Sequence, residues 1–294
     1  MKKILIGLCM MCGVLLSATG CQEEYTTFDG PSFISLSDTL YVLPVQNNEE
    51  VFDIPVVASK ACDYDRTLAV EVVVDKSNAI EGKQYVVESN TITIPAGEVI
   101  ANFHVRGNSD NITINDSVGL NIRILTEEVA YKGLQHLEAN IILQKVCPFH
   151  IEDFEGWCVV KSPFMDDYMP GVSARLVETI VDPYEKNTII FKDYYYKGYD
   201  VKLRFTDNDI LNPLLEMDEQ EFGPTSEAFG TIYEDGIIRM RETPGFVSYY
   251  STCERFLIHS MTLFVPNKGT VGNYFSLVKW VSDDEADRIR KEGF

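Results

Sequence analysis

Tyr194-Tyr195-Tyr196-Lys197-Gly198-Tyr199 is the stretch most suggestive of chemistry. On a β-strand, alternate rings point to opposite faces, so Tyr195 would stand on one face and Tyr194 and Tyr196 on the other. Rings left exposed can stack on the C–H faces of sugars, which makes Tyr194, Tyr195, Tyr196 and Tyr199 candidate ligand-binding residues. Phe246, Tyr249 and Tyr250 would widen the same platform. The competing reading is a hairpin with one aromatic face in the core and a turn at Gly198, because strands are rich in tyrosine anyway.

Catalytic chemistry has weaker support. Asp166 and Asp167 sit in a predicted loop between Pro163 and Pro170, and Asp218 and Glu219 lie within Glu216 to Glu221. Two carboxylates held roughly 5–9 Å apart hydrolyse glycosidic bonds. A chain with 45 acidic residues, however, makes such pairs by chance. The four histidines, His104, His136, His150 and His259, are not paired at metal-binding spacing. No G-x-S-x-G, H-E-x-x-H or P-loop pattern occurs. The expectation is a binding protein with no catalytic residue, no metal and no cofactor. A carboxylate-based hydrolase and a structural spacer are the alternatives.

Composition narrows the partners. The net charge is −20, or −22 without Lys2 and Lys3. A polyanion repels phosphate backbones, so nucleic acid is excluded as an expected partner. Past residue 21 no apolar run is long enough to cross a bilayer. Of seven cysteines, Cys62, Cys147, Cys158 and Cys253 remain once Cys9, Cys12 and Cys21 are set aside with the N-terminal segment. They form no C-x-x-C pair. Three disulfide pairings are possible, and four buried thiols are equally compatible with the sequence.

The elements that must position these residues read as strands throughout. Leu68, Val70, Val72 and Val74 alternate with other residues at period two, as do Val99, Ala101, Phe103 and Val105, and Leu120, Ile122 and Ile124. Short β-rich runs at close spacing predict a β-sandwich over 31–146. Within it, Ala79-Ile80-Glu81-Gly82-Lys83-Gln84-Tyr85 leads through Thr91-Ile92-Thr93-Ile94 into Pro95-Ala96-Gly97-Glu98. This order resembles the Calx-β fold, an immunoglobulin-like sandwich. The resemblance implies that Tyr85 plugs one end and that Gly97 permits a tight turn. Calx-β modules that bind calcium use carboxylates at one end. Here Gln84 replaces the usual aspartate, and Glu81, Asp110 and Asp116 are what remains as possible oxygen ligands.

Pro148 ends the first module, and 147–294 is expected to be an antiparallel β-barrel or sandwich, lipocalin-like in outline. Val201, Leu203 and Phe205 alternate with Lys202 and Arg204. Gly230 to Tyr233 and Ile237 to Met240 flank Glu234-Asp235-Gly236 as a predicted hairpin. Ser282 to Lys291 reads as a helix with Ser282 as N-cap, forming a solvated tail. Cys147-Pro148 followed by Phe154-Glu155-Gly156-Trp157 resembles the joint of paired domains in uncharacterised Bacteroidetes lipoproteins.

The N-terminus supplies an address. Lys2 and Lys3, the apolar run Ile4 to Leu16 and the small residues Ser17 to Gly20 have the layout of a signal peptide over 1–20. Ala18-Thr19-Gly20-Cys21 resembles a bacterial lipobox, although leucine is more usual where Ala18 stands. The resemblance implies lipidation of Cys21, with 21–30 as an acidic linker. Gln22-Glu23-Glu24 resembles the export signal of Bacteroidetes surface lipoproteins. The expected location is therefore the outer membrane, lipid-anchored and facing outward, with a polysaccharide or a surface protein as partner.

Overall fold

The computed structural model describes residues 30–114, 118–128 and 135–294. Cys21, the segment before it and Asp116 lie outside them. The chain is almost entirely β. The described residues up to Lys145 form two facing sheets. One has the order β1 (Ile34–Leu36), β3 (Val51–Ala58), β7 (Ile100–Gly107), β5 (Tyr85–Val87). The other has the order β2 (Leu40–Val45), β9 (Glu138–Lys145), β8 (Val118–Leu125), β4 (Arg66–Val72), β6 (Thr91–Ile94). The β2–β9 pair is parallel. Alternation drives the layering: Ile54 and Val56 of β3 meet Leu120 and Ile122 of β8 in one apolar core. Tyr85 is buried in that core, and Gly97 turns the chain at φ +83°, as the Calx-β resemblance implies. Val74 departs from the expected strand. It starts a 3-10 turn, Val74–Lys76, and is 79% exposed.

The second part is an antiparallel barrel, followed along the sheet as β14 (Leu215–Glu216), β13 (Val201–Phe205), β12 (Thr188–Phe191), β11 (Arg175–Val181), β10 (Gly156–Lys161), β19 (Gly269–Val281) and β18 (Phe256–Val265). From β18 the sheet forks. At one end β17 (Tyr249–Ser251) pairs with it, and at the other β16 (Ile237–Glu242) pairs with it and carries β15 (Gln220–Pro224). The β17 branch closes the ring. Leu214 bridges Tyr249, the Leu215 N–H donates to Ser248 O at 2.9 Å, and the Tyr250 N–H donates to Pro213 O at 3.1 Å. On the β15 side the Gln220 side chain acts as a substitute strand. Its Oε1 accepts from the Lys202 N–H at 2.8 Å and its Nε2 donates to Lys202 O at 2.9 Å.

The barrel is filled. Phe154, Phe191, Phe205, Phe222 and Trp280 meet within its core. Trp280 Nε1 donates to Phe154 O at 2.8 Å and to Thr179 Oγ1 at 3.0 Å, so the buried indole N–H is satisfied. A 3-10 turn, Ile151–Phe154, plugs one mouth. Helix α1 (Pro163–Tyr168) plugs the other with buried Phe164 and Met165.

Three expectations are corrected here, and the open question of the cysteines is answered. Residues 163–168 form a helix rather than a loop: the Ser162 Oγ cap and Pro163 at the first turn start it. Gly230 to Tyr233 is not a strand. Helix α2 (Thr225–Phe229) ends at Gly230 with φ +69°, and β16 pairs instead with β15. The C-terminal helix α3 (Asp283–Glu292) is no solvated tail. It buries Ala286 and Ile289, and the Arg290 guanidinium lies 3.9 Å from the Trp157 ring centroid. Of the four cysteines, Cys147 and Cys253 are bonded while Cys62 and Cys158 are free.

Candidate functional site

Tyr194, Tyr195 and Tyr196 do not lie on a strand and do not form an exposed platform. Asp193 has φ +49° and Gly198 φ +87°, which curl the segment into a loop. The Tyr194 N–H donates to Tyr199 O at 3.0 Å and the Tyr199 N–H to Tyr196 O at 3.1 Å. All three rings enter the barrel core, and Tyr199 packs half-buried against it. The Tyr195 hydroxyl pairs with Ser276 Oγ at 2.8 Å. Burial pushes the phenols of Tyr195 and Tyr196 up to about 12 and raises that of Tyr194 well above its ordinary value. The rings serve packing: a Cβ on Gly223 would stand 2.1 Å from the Tyr196 ring. Tyr250 belongs to the opposite mouth, against Phe205 and Phe154, with its hydroxyl donating to Thr206 O at 2.7 Å. Phe246 and Tyr249 are exposed but have no share in the Tyr194 loop.

Three other rings converge at the rim of the barrel. Tyr168 stands at the C-terminal end of α1, Phe229 at the C-terminal end of α2, and Tyr233 in the loop that follows α2. Tyr168 and Phe229 meet edge to face at 5.3 Å, and Phe229 and Tyr233 lie 6.1 Å apart at 63°. With Val265, Lys268, Gly269, Thr270 and Val271 of the β18–β19 hairpin they line an open cleft of about 320 Å³. The loop is anchored from below. Buried Thr225 accepts from the Tyr233 N–H at 3.0 Å through its Oγ1, and its own N–H donates to Gly236 O at 2.8 Å.

Polar groups edge these rings. The Tyr274 hydroxyl donates to Asp167 Oδ2 at 3.2 Å, joining β19 to α1. Burial, followed by its neighbours Tyr168 and Asp167, raises the Tyr274 phenol, which stays a neutral donor. The Lys268 ammonium lies 3.4 Å from Glu234 Oε1. Apolar faces with a few placed polar groups and a volume near the lower limit for small-molecule sites suit a small, ring-shaped, polar-edged ligand. The sequence held local signs of this cleft in the Ser162-Pro163 start and the Gly230 stop. Nothing in it joined Tyr168, Phe229 and Tyr233.

The expected carboxylates fall in separate places. Asp166 is exposed on α1. Asp218 lines a small cleft of about 120 Å³ with Glu185, Lys202, Arg204 and Glu216. There Lys202 pairs with Asp182 at 2.6 Å and Glu185 at 2.7 Å, and Arg204 with Glu216 at 3.0 Å. The Lys202 hydrogen bond, aided by the Tyr184 N–H, holds the Asp182 carboxyl below its usual range. In the sandwich, Asp110 accepts from Asn48 Nδ2 at 2.6 Å, while Glu81 lines a cleft beside Tyr85. Among the described residues no three His, Cys, Asp or Glu side chains converge to hold a metal. His104 pairs with Asp53 at 2.8 Å. His259 is buried in the barrel wall, with neither ring nitrogen hydrogen-bonded.

Residues 134–292 match the model of a family described as a domain of unknown function, DUF4984. Comparison with curated proteins finds no match. Among solved structures the chain is similar to a protein of unknown function from Bacteroides ovatus, with 13% identity, 84% of this chain and 91% of that chain covered, and a TM-score of 0.36. It is also similar to the apo-form Calx CBD1 domain, with 15% identity, 39% and 96% covered, and a TM-score of 0.30. A third is an auxiliary nutrient binding protein from Bacteroides thetaiotaomicron, with 15% identity, 82% and 91% covered, and a TM-score of 0.33. Likenesses this distant carry no functional argument.

Proposed function

The chain belongs to the DUF4984 family, and we propose that it is a lipid-anchored surface protein that captures a glycan without transforming it, in the cleft of Tyr168, Phe229 and Tyr233. The observation that carries this reading is the convergence of three rings from three segments on one open, polar-edged cleft. Aromatic faces match the C–H faces of a pyranose, and the polar edge matches its hydroxyls. The lipobox-like Ala18 to Cys21 and the acidic Glu23 and Glu24 support an anchored, outward-facing location. The Cys147–Cys253 disulfide supports it too, since such bonds persist in oxidising compartments.

Titration of a polysaccharide panel against intrinsic fluorescence tests capture. Tyr233→Ala is expected to weaken binding by about tenfold, as truncating an interface aromatic does. Unchanged affinity for every bound glycan sinks the cleft assignment. Release of oligosaccharide products from a bound glycan would replace capture with hydrolysis. Cys21→Ser is expected to move the protein from the membrane to the soluble fraction, and unchanged partitioning would remove the anchor.

A further inference from the structure

We infer that Glu234 sets the specificity of the cleft: it neutralises Lys268, so that the site takes an uncharged sugar ring in preference to the matching uronate. The inference rests on the glycan-capture reading above. Lys268 is the cation that lines the cleft, and an unpaired ammonium there would be a ready anchor for a carboxylate. Glu234, next in the chain after the cleft residue Tyr233, reaches it at 3.4 Å from Nζ. It does so from a backbone that glutamate rarely adopts, at φ +52°.

That conformation is held from both sides. The Gly236 N–H donates to Tyr233 O at 2.8 Å, and Gly236 O accepts from the Thr225 N–H at 2.8 Å. A non-glycine residue kept in the left-handed region by its surroundings is a recurrent mark of functional sites. The next residue does a parallel job: Asp235 pairs with Arg239 at 2.7 Å and occupies the other nearby cation. Lys268 and Arg239 are therefore both matched by carboxylates from one turn. Asp166 and Asp167 on α1, Glu227 on α2 and a net charge of −20 leave the surroundings acidic. An anionic ligand meets repulsion that the one cation among the described lining residues, already paired, does not offset, whereas a neutral ring meets no such repulsion. The near-perpendicular Tyr168 and Phe229 rings form a corner rather than a flat strip. A corner stacks one ring at a time, which favours a single sugar at a chain end or branch.

The test compares glucose, galactose and mannose with glucuronate, galacturonate and mannuronate, by ligand-observed NMR on the full extracellular chain. The wild-type protein is expected to prefer the neutral sugar of each pair. Glu234→Gln is isosteric and frees Lys268. It should raise uronate affinity about three- to fivefold, the scale of an exposed charge pair, with a gain that disappears in high salt. Adding Lys268→Gln should abolish the gain, and thermal unfolding should match wild type throughout. An unchanged neutral-to-uronate ratio in Glu234→Gln, or a wild-type preference for uronates, overturns the inference while Tyr233-dependent glycan binding stands. Absence of any glycan binding overturns both readings.

Discussion

Tyr168 and Phe229 meet edge to face at the barrel rim, with ring centroids 5.3 Å apart and planes at 83°. The two rings differ in what else they hold. Tyr168 also packs on Phe164 at 5.1 Å and on Tyr274 at 6.4 Å, so it is part of the plug as well as the cleft. Tyr233, by contrast, is 41% exposed. Tyr168→Ala should therefore lose glycan binding and also unfold several degrees lower, on the order of 2–4 kcal/mol for an aromatic deletion in partial burial. Tyr233→Ala should lose binding with stability changed by no more than about 0.5 kcal/mol. Circular dichroism melts beside glycan titrations separate the two, and equal destabilisation by both would contradict the division.

The strands were legible where one face is buried and the other wet. Val201, Leu203 and Phe205 alternate with Lys202 and Arg204 in sequence, and the structure buries the first three. The Tyr194 to Tyr196 run was legible only in part: core burial and a turn at Gly198 were one of its two readings, but the strand was not there, because period two describes a strand only if the backbone is extended. Asp193 and Gly198 curl it instead, and the space for Tyr196 depends on a glycine far along the chain, at position 223. The cleft was illegible for a similar reason. Tyr168 ends the helix that Ser162 caps, and Phe229 and Tyr233 flank the Gly230 stop, each a readable local signal, but barrel closure brings them together. The Cys147–Cys253 pairing likewise needed the fold, since spacing alone left three choices.

The disulfide fastens the start of the barrel to the turn before β18, where Thr252 Oγ1 also donates to Cys147 O at 2.9 Å. The closed loop has a sequence separation of 106, and constraining a loop of that size in the unfolded chain contributes about 3–5 kcal/mol. Cys147→Ser with Cys253→Ser should lower barrel stability by that order in urea unfolding, and reductant should then have no further effect. Cys62→Ser, at a half-exposed free thiol, should sit within about 0.5 kcal/mol of wild type. A double variant as stable as the oxidised parent would show that the bridge adds nothing.

Gly223 faces the Tyr196 ring so closely that an added Cβ would stand 2.1 Å from Cδ2 and 2.6 Å from Cε2. The strand is bulged here, between Glu221 and Gly223, with Phe222 buried. Gly223→Ala must displace a ring that is already enclosed, an overpacking cost of about 1–3 kcal/mol. Tyr196→Leu makes room and should recover part of that loss in the double variant, giving a coupling of about 0.5 kcal/mol or more. Additive effects in a double-mutant cycle would mean that Tyr196 is not what resists the methyl group.

His259 on β18 faces Ser276 across the strand pair and points into the barrel, with both nitrogens buried and unpartnered. Burial holds its imidazole down to about 4, against an ordinary value of 6.5. The unfolded chain thus takes up a proton near pH 6.5, while the folded chain stays neutral at this site until about pH 4. Folding is undisturbed by this group above pH 6.5, weakens as the pH falls through that window, and loses no more below it. The total is about 3 kcal/mol by linkage. The carboxylates of Asp182, Asp207, Asp209 and Asp235, each held below 3.8 by its hydrogen bonds, act lower: their contribution is present above 3.8 and disappears as acid protonates the folded form. His259→Leu removes two unsatisfied buried nitrogens and should stabilise the barrel at every pH. The gain should be larger at pH 5 than at pH 7.5, with the slope between 6.5 and 4 flattened. Chemical denaturation across that range checks it, and a variant whose stability follows the wild-type slope would show that His259 is not the group that titrates.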